Sequence, residues 1–160
     1  MPEIISNTTP IISLLKINKL HLLKDLYSQI TIPYAVFNEI EKGRKKEYYT
    51  DLSQIKWITI KKIKDTHLMD RFADLDDGEA EVLALAKEQN ADLVLMDELM
   101  GRKYAKNLKF KLTGTIGILL KAKEMGQIKS VKDLLTELTD KGTWLSPKLV
   151  SMAIKLSDEE

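Results

Sequence analysis

Four residues offer the chemistry that stands out in this sequence: Asn7, Glu39, Glu79 and Asp97. Asn7 follows a short β-branched run, and Asp97 follows a continuous apolar one. Glu39 and Glu79 lie on segments with helical spacing. All four offer oxygen. Cysteine is absent, which excludes thiolate zinc sites and disulfides, and only His21 and His67 supply imidazole. A metal held here would therefore be held mainly by oxygen, which suits a hard cation such as Mg²⁺ or Mn²⁺. Such ions activate water and stabilise negative charge developing on an oxygen. One ion can do this, or two ions about 4 Å apart.

Each candidate also has a structural reading. Asp97 caps the helix after it, Glu79 complements a helix dipole, or Asn7 organises an Asx-turn before Pro10. Glu79 and Glu81 can be told apart by direction, because residues two apart on a helix point in roughly opposite directions. Glu79 lines up with Val82, Leu83 and Ala86, the apolar side, whereas Glu81 shares its face with Glu88 and is expected to be solvated. A carboxylate bordering the core is costly to desolvate without compensation, and a metal ion would supply it. Glu39 and Glu41 both flank the apolar stripe of Val36, Phe37 and Ile40, and periodicity does not separate them.

The elements that position these residues follow from pattern. Ile4-Ile5-Ser6, Ile30-Thr31-Ile32 and Trp57-Ile58-Thr59-Ile60 read as strands, and a short strand is predicted near Leu112. Leu93 to Met96 is a continuous apolar run, as expected of a central parallel strand. A helix is predicted to open at Pro10 and to break at Asn18. Another should start near Asp76-Asp77-Gly78-Glu79, and further helices over Thr115–Met125, Val131–Leu138 and from Ser146-Pro147 onward. Strands alternating with helices imply an open parallel sheet covered on both faces. In such sheets, sites form at the carboxyl ends of the strands, where Asn7 and Asp97 fall.

At 160 residues, 44% hydrophobic and 31% charged, the chain has the size and composition of one soluble domain. No apolar run approaches the ~20 residues of a membrane span, so no membrane association and a cytoplasmic location are expected. A net charge of +1 gives no global sign of nucleic-acid binding, so local cations must serve. Arg44, Lys45 and Lys46 follow the Glu39 helix, and Arg102, Lys103 and Lys106 follow Asp97. Both sets are candidates for nucleic-acid phosphates or for an ordinary solvated face, and Arg102 could equally pair with a carboxylate. Trp57 and Trp144 are expected in the core rather than stacked on bases. No GxGxxG follows the first strand and no P-loop is present, which leaves a nucleotide-binding reading without support.

Four segments together resemble PIN domains, most closely the VapC-related subgroup with a Gly-Glu-Ala-Glu motif. They are Ile5-Ser6-Asn7-Thr8-Thr9-Pro10-Ile11-Ile12, Pro33-x-x-Val36-x-x-Glu39, Leu75-Asp76-Asp77-Gly78-Glu79-Ala80-Glu81 and Leu95-Met96-Asp97-Glu98-x-x-Gly101-Arg102. Gly114-Thr115-x-Gly117, the Ala122-Lys123-x-x-Gly126 stretch and an additional C-terminal helix extend the likeness to nearly the whole chain. The resemblance implies an α/β, PIN-like (Rossmann-like) three-layer sandwich with a central, mainly parallel sheet. Residues 1–140 would form the nuclease domain and residues 141–160 a helical extension packed on the domain or on a partner. It also implies a metal-dependent endoribonuclease, the toxin of a toxin–antitoxin pair, leaving 5′-phosphate and 3′-hydroxyl ends. Catalytic and metal-holding positions fall on Asn7, Glu39, Glu79 and Asp97. A small antitoxin-type protein and a homodimer are the implied partners. The first of these positions is Asp in most active PIN domains, and Asn lacks its charge. The alternative is therefore a catalytically weak or inactive PIN-fold module that binds RNA or protein.

Overall fold

The computed structural model describes residues 2–160. Short β-branched or apolar runs alternate with amphipathic segments, and each such alternation forces a crossover rather than a hairpin. The elements are β1 (Ile4–Ser6), α1 (Thr8–Lys16), α2 (His21–Tyr27), β2 (Ile30–Pro33), α3 (Tyr34–Glu41), β3 (Ile58–Lys61) and α4 (Asp77–Gln89). They continue with β4 (Leu93–Leu95), α5 (Leu99–Asn107), β5 (Leu112–Thr113), α6 (Thr115–Glu124), α7 (Val131–Asp140) and α8 (Pro147–Leu156). The five strands form one sheet in the order β3-β2-β1-β4-β5, and every pairing is parallel. The sheet is thus wholly parallel, and the α/β PIN-like architecture expected from the sequence is the one observed.

Parallel sheets are buried on both faces. Ile5, Ile32, Val94 and Leu95 are accordingly buried in the main core, and α4 buries all but Glu81 from Ala80 to Ala86. A smaller cluster of Phe72, Leu83, Ala84 and Ala105 fills the space between α4, α5 and the 3-10 turns at Thr66–Phe72.

Three local readings need correction. The first helix opens at Thr8, not Pro10. A proline in the first turn is tolerated there, because first-turn amides have no intrahelical partner. The third strand runs one residue later than predicted, and the Trp57 carbonyl instead accepts the Ile30 amide at 3.0 Å. The 3-10 turns at Leu52–Gln54 and Thr66–Phe72 have no counterpart in the sequence reading. They are organised by Asp51 and Asp65 side chains accepting from the Ser53 and His67 amides. Asn18 does break the helix, with φ 55.

The helix α8 packs on α6 and α7, with Ala153 fully buried. Beyond it, Glu159 accepts the Val131 and Lys132 amides at the start of α7, the Ser130 hydroxyl and the Lys123 ammonium, at 2.8–2.9 Å. Burial raises its pKa, but these four donors outweigh it and hold the carboxyl well below the ordinary 4.5. The stabilisation is therefore present above pH 4.5 and fades as the pH falls below it. Glu159→Gln should cost about 1 kcal/mol at pH 7, a fall in Tm of roughly 2–4 °C. The gap between variant and parent should narrow in melts recorded toward pH 3 (an approximate lower limit for such melts).

Candidate active site

The sheet order reverses between β1 and β4, and in such sheets the crevice that takes ligands lies beyond the carboxyl ends of the strands at that point. Ser6 lies beside Leu95, and the Asn7 amide donates to the Leu95 carbonyl at 2.8 Å. The residues after each strand are thereby fixed at the floor of the crevice. Asn7 is 3% exposed and occupies the N-cap position of α1, yet its side chain caps nothing. Its Nδ2 instead donates to Glu98 Oε2 at 3.1 Å, across the gap between the two strands. The Thr9 hydroxyl donates to the other oxygen of Glu98.

Helices α3 and α4 bring in the remaining groups. Thr8 Oγ1 donates to Glu39 Oε2 at 2.8 Å, which turns Glu39 toward the start of α1. Glu41, by contrast, is held by Arg44 at 2.9 Å and by the Tyr49 hydroxyl. The two glutamates that the sequence left unresolved are thus separated by their tertiary partners. Gly78, in the first turn of α4, reveals where the oxygens meet. A Cβ there would lie 3.2 Å from Glu39 Oε2, 3.4 Å from Asn7 Oδ1 and 3.5 Å from Asp76 Oδ1. Three oxygens from three distant parts of the chain face one point.

Glu79 is 7% exposed. It forms a capping box with Asp76: its amide donates to Asp76 Oδ1 at 2.8 Å, and its own Oε2 accepts the Asp76 amide at 3.2 Å. Burial, then the negative charges of Asp76 and Glu98, push its carboxyl up to about 7, against the pull of the Asp76 amide. The capping reading of Glu79 therefore holds, and the group also borders the crevice. Glu81 departs from expectation. It is half-buried and accepts the Ala35 amide at 3.1 Å, so it closes the start of α3 rather than facing water.

Asp97 is turned aside. Its Oδ1 accepts the Thr115 amide at 2.7 Å and its Oδ2 the Thr115 hydroxyl at 2.6 Å, which secures the start of α6. It thus caps a helix, but not the one directly after it. Gly114 permits this approach, since a Cβ there would sit 2.3 Å from Asp97 Oδ1. Arg102 is half-buried and donates to the Met96 carbonyl at 2.9 Å. Ion pairs among the described residues are Arg44–Glu41, Lys123–Glu159 and Lys141–Glu137, so none compensates the acidic crevice.

Of the predicted positions, the structure gathers Asn7, Glu39 and Glu79 around the first turn of α4 and leaves the Asp97 oxygens on Thr115. Asp76 and Glu98 join the crevice, and the sequence reading passed over both as site residues. Asp76 was visible only as a helix start, and Glu98 only as the neighbour of Asp97. Among the described residues, no three Asp, Glu or His side chains already form a metal-holding group. The donor set still suits a hard cation: only oxygens face the Gly78 point, and the desolvated Glu79 carboxyl of the same helix turn, whose Oε1 faces Gly101, lacks a cationic partner. Of the predicted RNA contacts, Arg102 alone borders the crevice. Arg44 is engaged by Glu41, Lys45 is exposed, Lys46 lines a different cavity, and Lys103 and Lys106 are exposed along α5. Trp57 packs against the core as expected, whereas Trp144 is 79% exposed and does not.

A protein-family model for a PIN domain matches residues 3–159. The chain belongs to the PIN-domain family. The match runs through α7 and α8, so the C-terminal helices are included in it. Comparison with curated proteins returned no match. PIN domains have a nuclease-type fold, are generally nucleases and typically use divalent metals, which places this chain among hydrolases at that level. No helix of the described residues is long and apolar enough to cross a membrane.

Proposed function

We propose that this PIN domain is a metal-dependent endoribonuclease, using Mg²⁺ or Mn²⁺, and that it acts in the cytoplasm as the toxin of a toxin–antitoxin pair. The observation that carries the enzymatic reading is the meeting of Asn7, Glu39 and Asp76 oxygens at the first turn of α4, uncompensated by any lysine or arginine ion pair among the described residues. Asn7, Glu39 and Asp76 would hold the ion, with Glu79 of the same helix turn as a further oxygen donor. When bound, a divalent cation supplies Lewis acidity toward a phosphate oxygen and lowers the pKa of water. The chain's own groups do the rest. Thr8 fixes the Glu39 carboxylate, and Glu98 fixes the Asn7 amide so that its carbonyl faces the same point as Glu39. Without the ion, Glu79 holds a proton up to near-neutral pH, and binding the ion would displace it. Arg102, bordering Asp97, offers a cation for a substrate phosphate. Tyr34, Leu99 and Met100 follow the ends of β2 and β4, are exposed, and offer apolar surface for unpaired bases. The exposed Leu149, Met152 and Leu156 of α8, with Trp144 before it, give a protein partner or a second copy apolar surface.

One feature favours a second reading, a PIN-fold module that binds without cutting. Asn7 is neutral, and its amide is committed to Glu98. A single experiment separates the two: RNA cleavage and calorimetric metal titration on the parent, Glu39→Gln and Asn7→Asp. The parent is expected to cleave with Mg²⁺ or Mn²⁺ and to stop in excess chelator. Glu39→Gln should lose on the order of 10²–10³-fold in rate with little change in Tm. Asn7→Asp sets a carboxylate against Glu98, so it should bind metal more tightly and melt earlier without it. Undiminished cleavage in chelator sinks the metal mechanism. An inert parent beside an active Asn7→Asp establishes the binding module.

A further inference from the structure

We infer that the cavity at the far ends of α1 and α3 is a second nucleic-acid site, which anchors a single RNA strand away from the acidic crevice. The cavity has a volume of about 760 Å³, and Lys16, Lys46, Lys141, Tyr48, Tyr49 and Thr50 line it. Its lining carries three lysines against one carboxylate, Glu47; Lys141 is also paired with Glu137 at 3.2 Å, which leaves Lys16 and Lys46 without an ion-pair partner among the described residues. Two of the lysines are held in place. Lys16 Nζ donates to Thr143 Oγ1 at 3.2 Å and sits 5.9 Å from the centre of the Tyr48 ring, and Lys141 Nζ donates to the Lys16 carbonyl at 2.6 Å. Lys46 is exposed and has no ion-pair partner among the described residues. Exposed Lys45 lies next to it along the chain and extends this basic surface, whereas Arg44 is paired with Glu41.

Cations interleaved with tyrosines are the combination that holds single strands: charge follows the phosphates, and rings accept bases without regard to sequence. The placement fits a polymer rather than a small ligand. Helix α1 begins beside Asn7 in the crevice and ends at Lys16 in the cavity. Nine residues of helix separate the two by about 14 Å, a distance that one RNA strand can bridge. The inference rests on the nuclease reading for the identity of the polymer, but the binding test below does not require cleavage.

The test uses the full chain in chelator and a fluorescent oligoribonucleotide of about 12 nucleotides, with a polyglutamate peptide as a second probe. Lys46→Glu should weaken RNA binding and lower the slope of log affinity against log salt by about one or more. Tyr48→Leu should weaken it about tenfold, in protein whose circular dichroism is that of the parent. With metal restored, Lys46→Glu should raise KM for long RNA and leave cleavage of a dinucleotide unchanged. RNA affinity unaltered in Lys46→Glu overturns the inference, as does polyglutamate bound as tightly as RNA with the same dependence on Lys46. Equal losses on long RNA and dinucleotide overturn it too, because the cavity would then not be separate from the crevice. A chain that binds as expected but cleaves nothing removes the nuclease reading and keeps the site.

Discussion

Gly78→Ala is expected to give a protein at least as stable as the parent that has lost on the order of 10²-fold or more in RNA cleavage. The two effects come from the same methyl group. Gly78 lies inside α4 with an ordinary backbone conformation, where glycine costs up to ~1 kcal/mol relative to alanine. The added Cβ meets no backbone closely. Its contacts are the ends of the Glu39, Asn7 and Asp76 side chains, at 3.2–3.5 Å, and a flexible glutamate can move by a few tenths of an ångström. The methyl nevertheless fills the point those oxygens face, so an ion can no longer approach them together. A rise in Tm of up to roughly 2–4 °C should therefore accompany the lost rate. Gly101→Ala and Gly114→Ala are the contrast. There a Cβ would stand 2.1 Å from Met96 Sδ, with Glu79 Oε1 at 3.4 Å, and 2.3 Å from Asp97 Oδ1 respectively, and packing must shift, so these two variants should lose stability where Gly78→Ala does not. Measured melts and turnover for the three variants decide the matter. Near-parental cleavage by Gly78→Ala would move the ion's place elsewhere.

The same crevice explains what could be read from the sequence. The run Leu93 to Met96 and the apolar side of α4 carry their own periodicity, so the sheet and the burial of Glu79 were legible. The strand-end rule then located Asn7. What was not legible depends on partners far along the chain. Glu39 and Glu41 lie two apart beside one stripe, and only Thr8 on one side and Arg44 with Tyr49 on the other tell them apart. Asp97 and Glu98 are adjacent carboxylates at one strand end. Thr115, eighteen residues later, draws Asp97 away, while Asn7 and Thr9, about ninety residues earlier, draw Glu98 in. Periodicity reports which side of an element is apolar, not which distant hydroxyl will meet a given carboxylate. Asp97→Ala is a poor probe of catalysis for this reason, since it strips two bonds from the start of α6 as well.

Metal binding is expected to release about one proton at pH 6 and almost none at pH 8.5, and cleavage should rise roughly 20-fold between pH 5.5 and 7.5 before levelling. Glu79 is the source. Its carboxyl is pushed up to about 7, against 4.5 in the unfolded chain, so between those values the fold holds a proton that the unfolded chain has lost. The associated stability is complete below 4.5 and disappears as the pH rises through 7, leaving a buried charge beside Asp76 and Glu98. A bound dication reverses the preference by favouring the ionised form, which is why binding and proton release are linked. Glu79→Gln keeps an oxygen for the Asp76 amide and removes the charge. Without metal, the variant should be more stable than the parent at pH 8 by on the order of 1 kcal/mol after solvent screening, and equal to it near pH 4.5. With metal it should bind more weakly and release no proton. Calorimetry in two buffers of different ionisation enthalpy counts the protons, and melts at the two pH values give the stabilities. A parent that releases none at pH 6, or a Glu79→Gln variant less stable than the parent at pH 8, would remove Glu79 from the site.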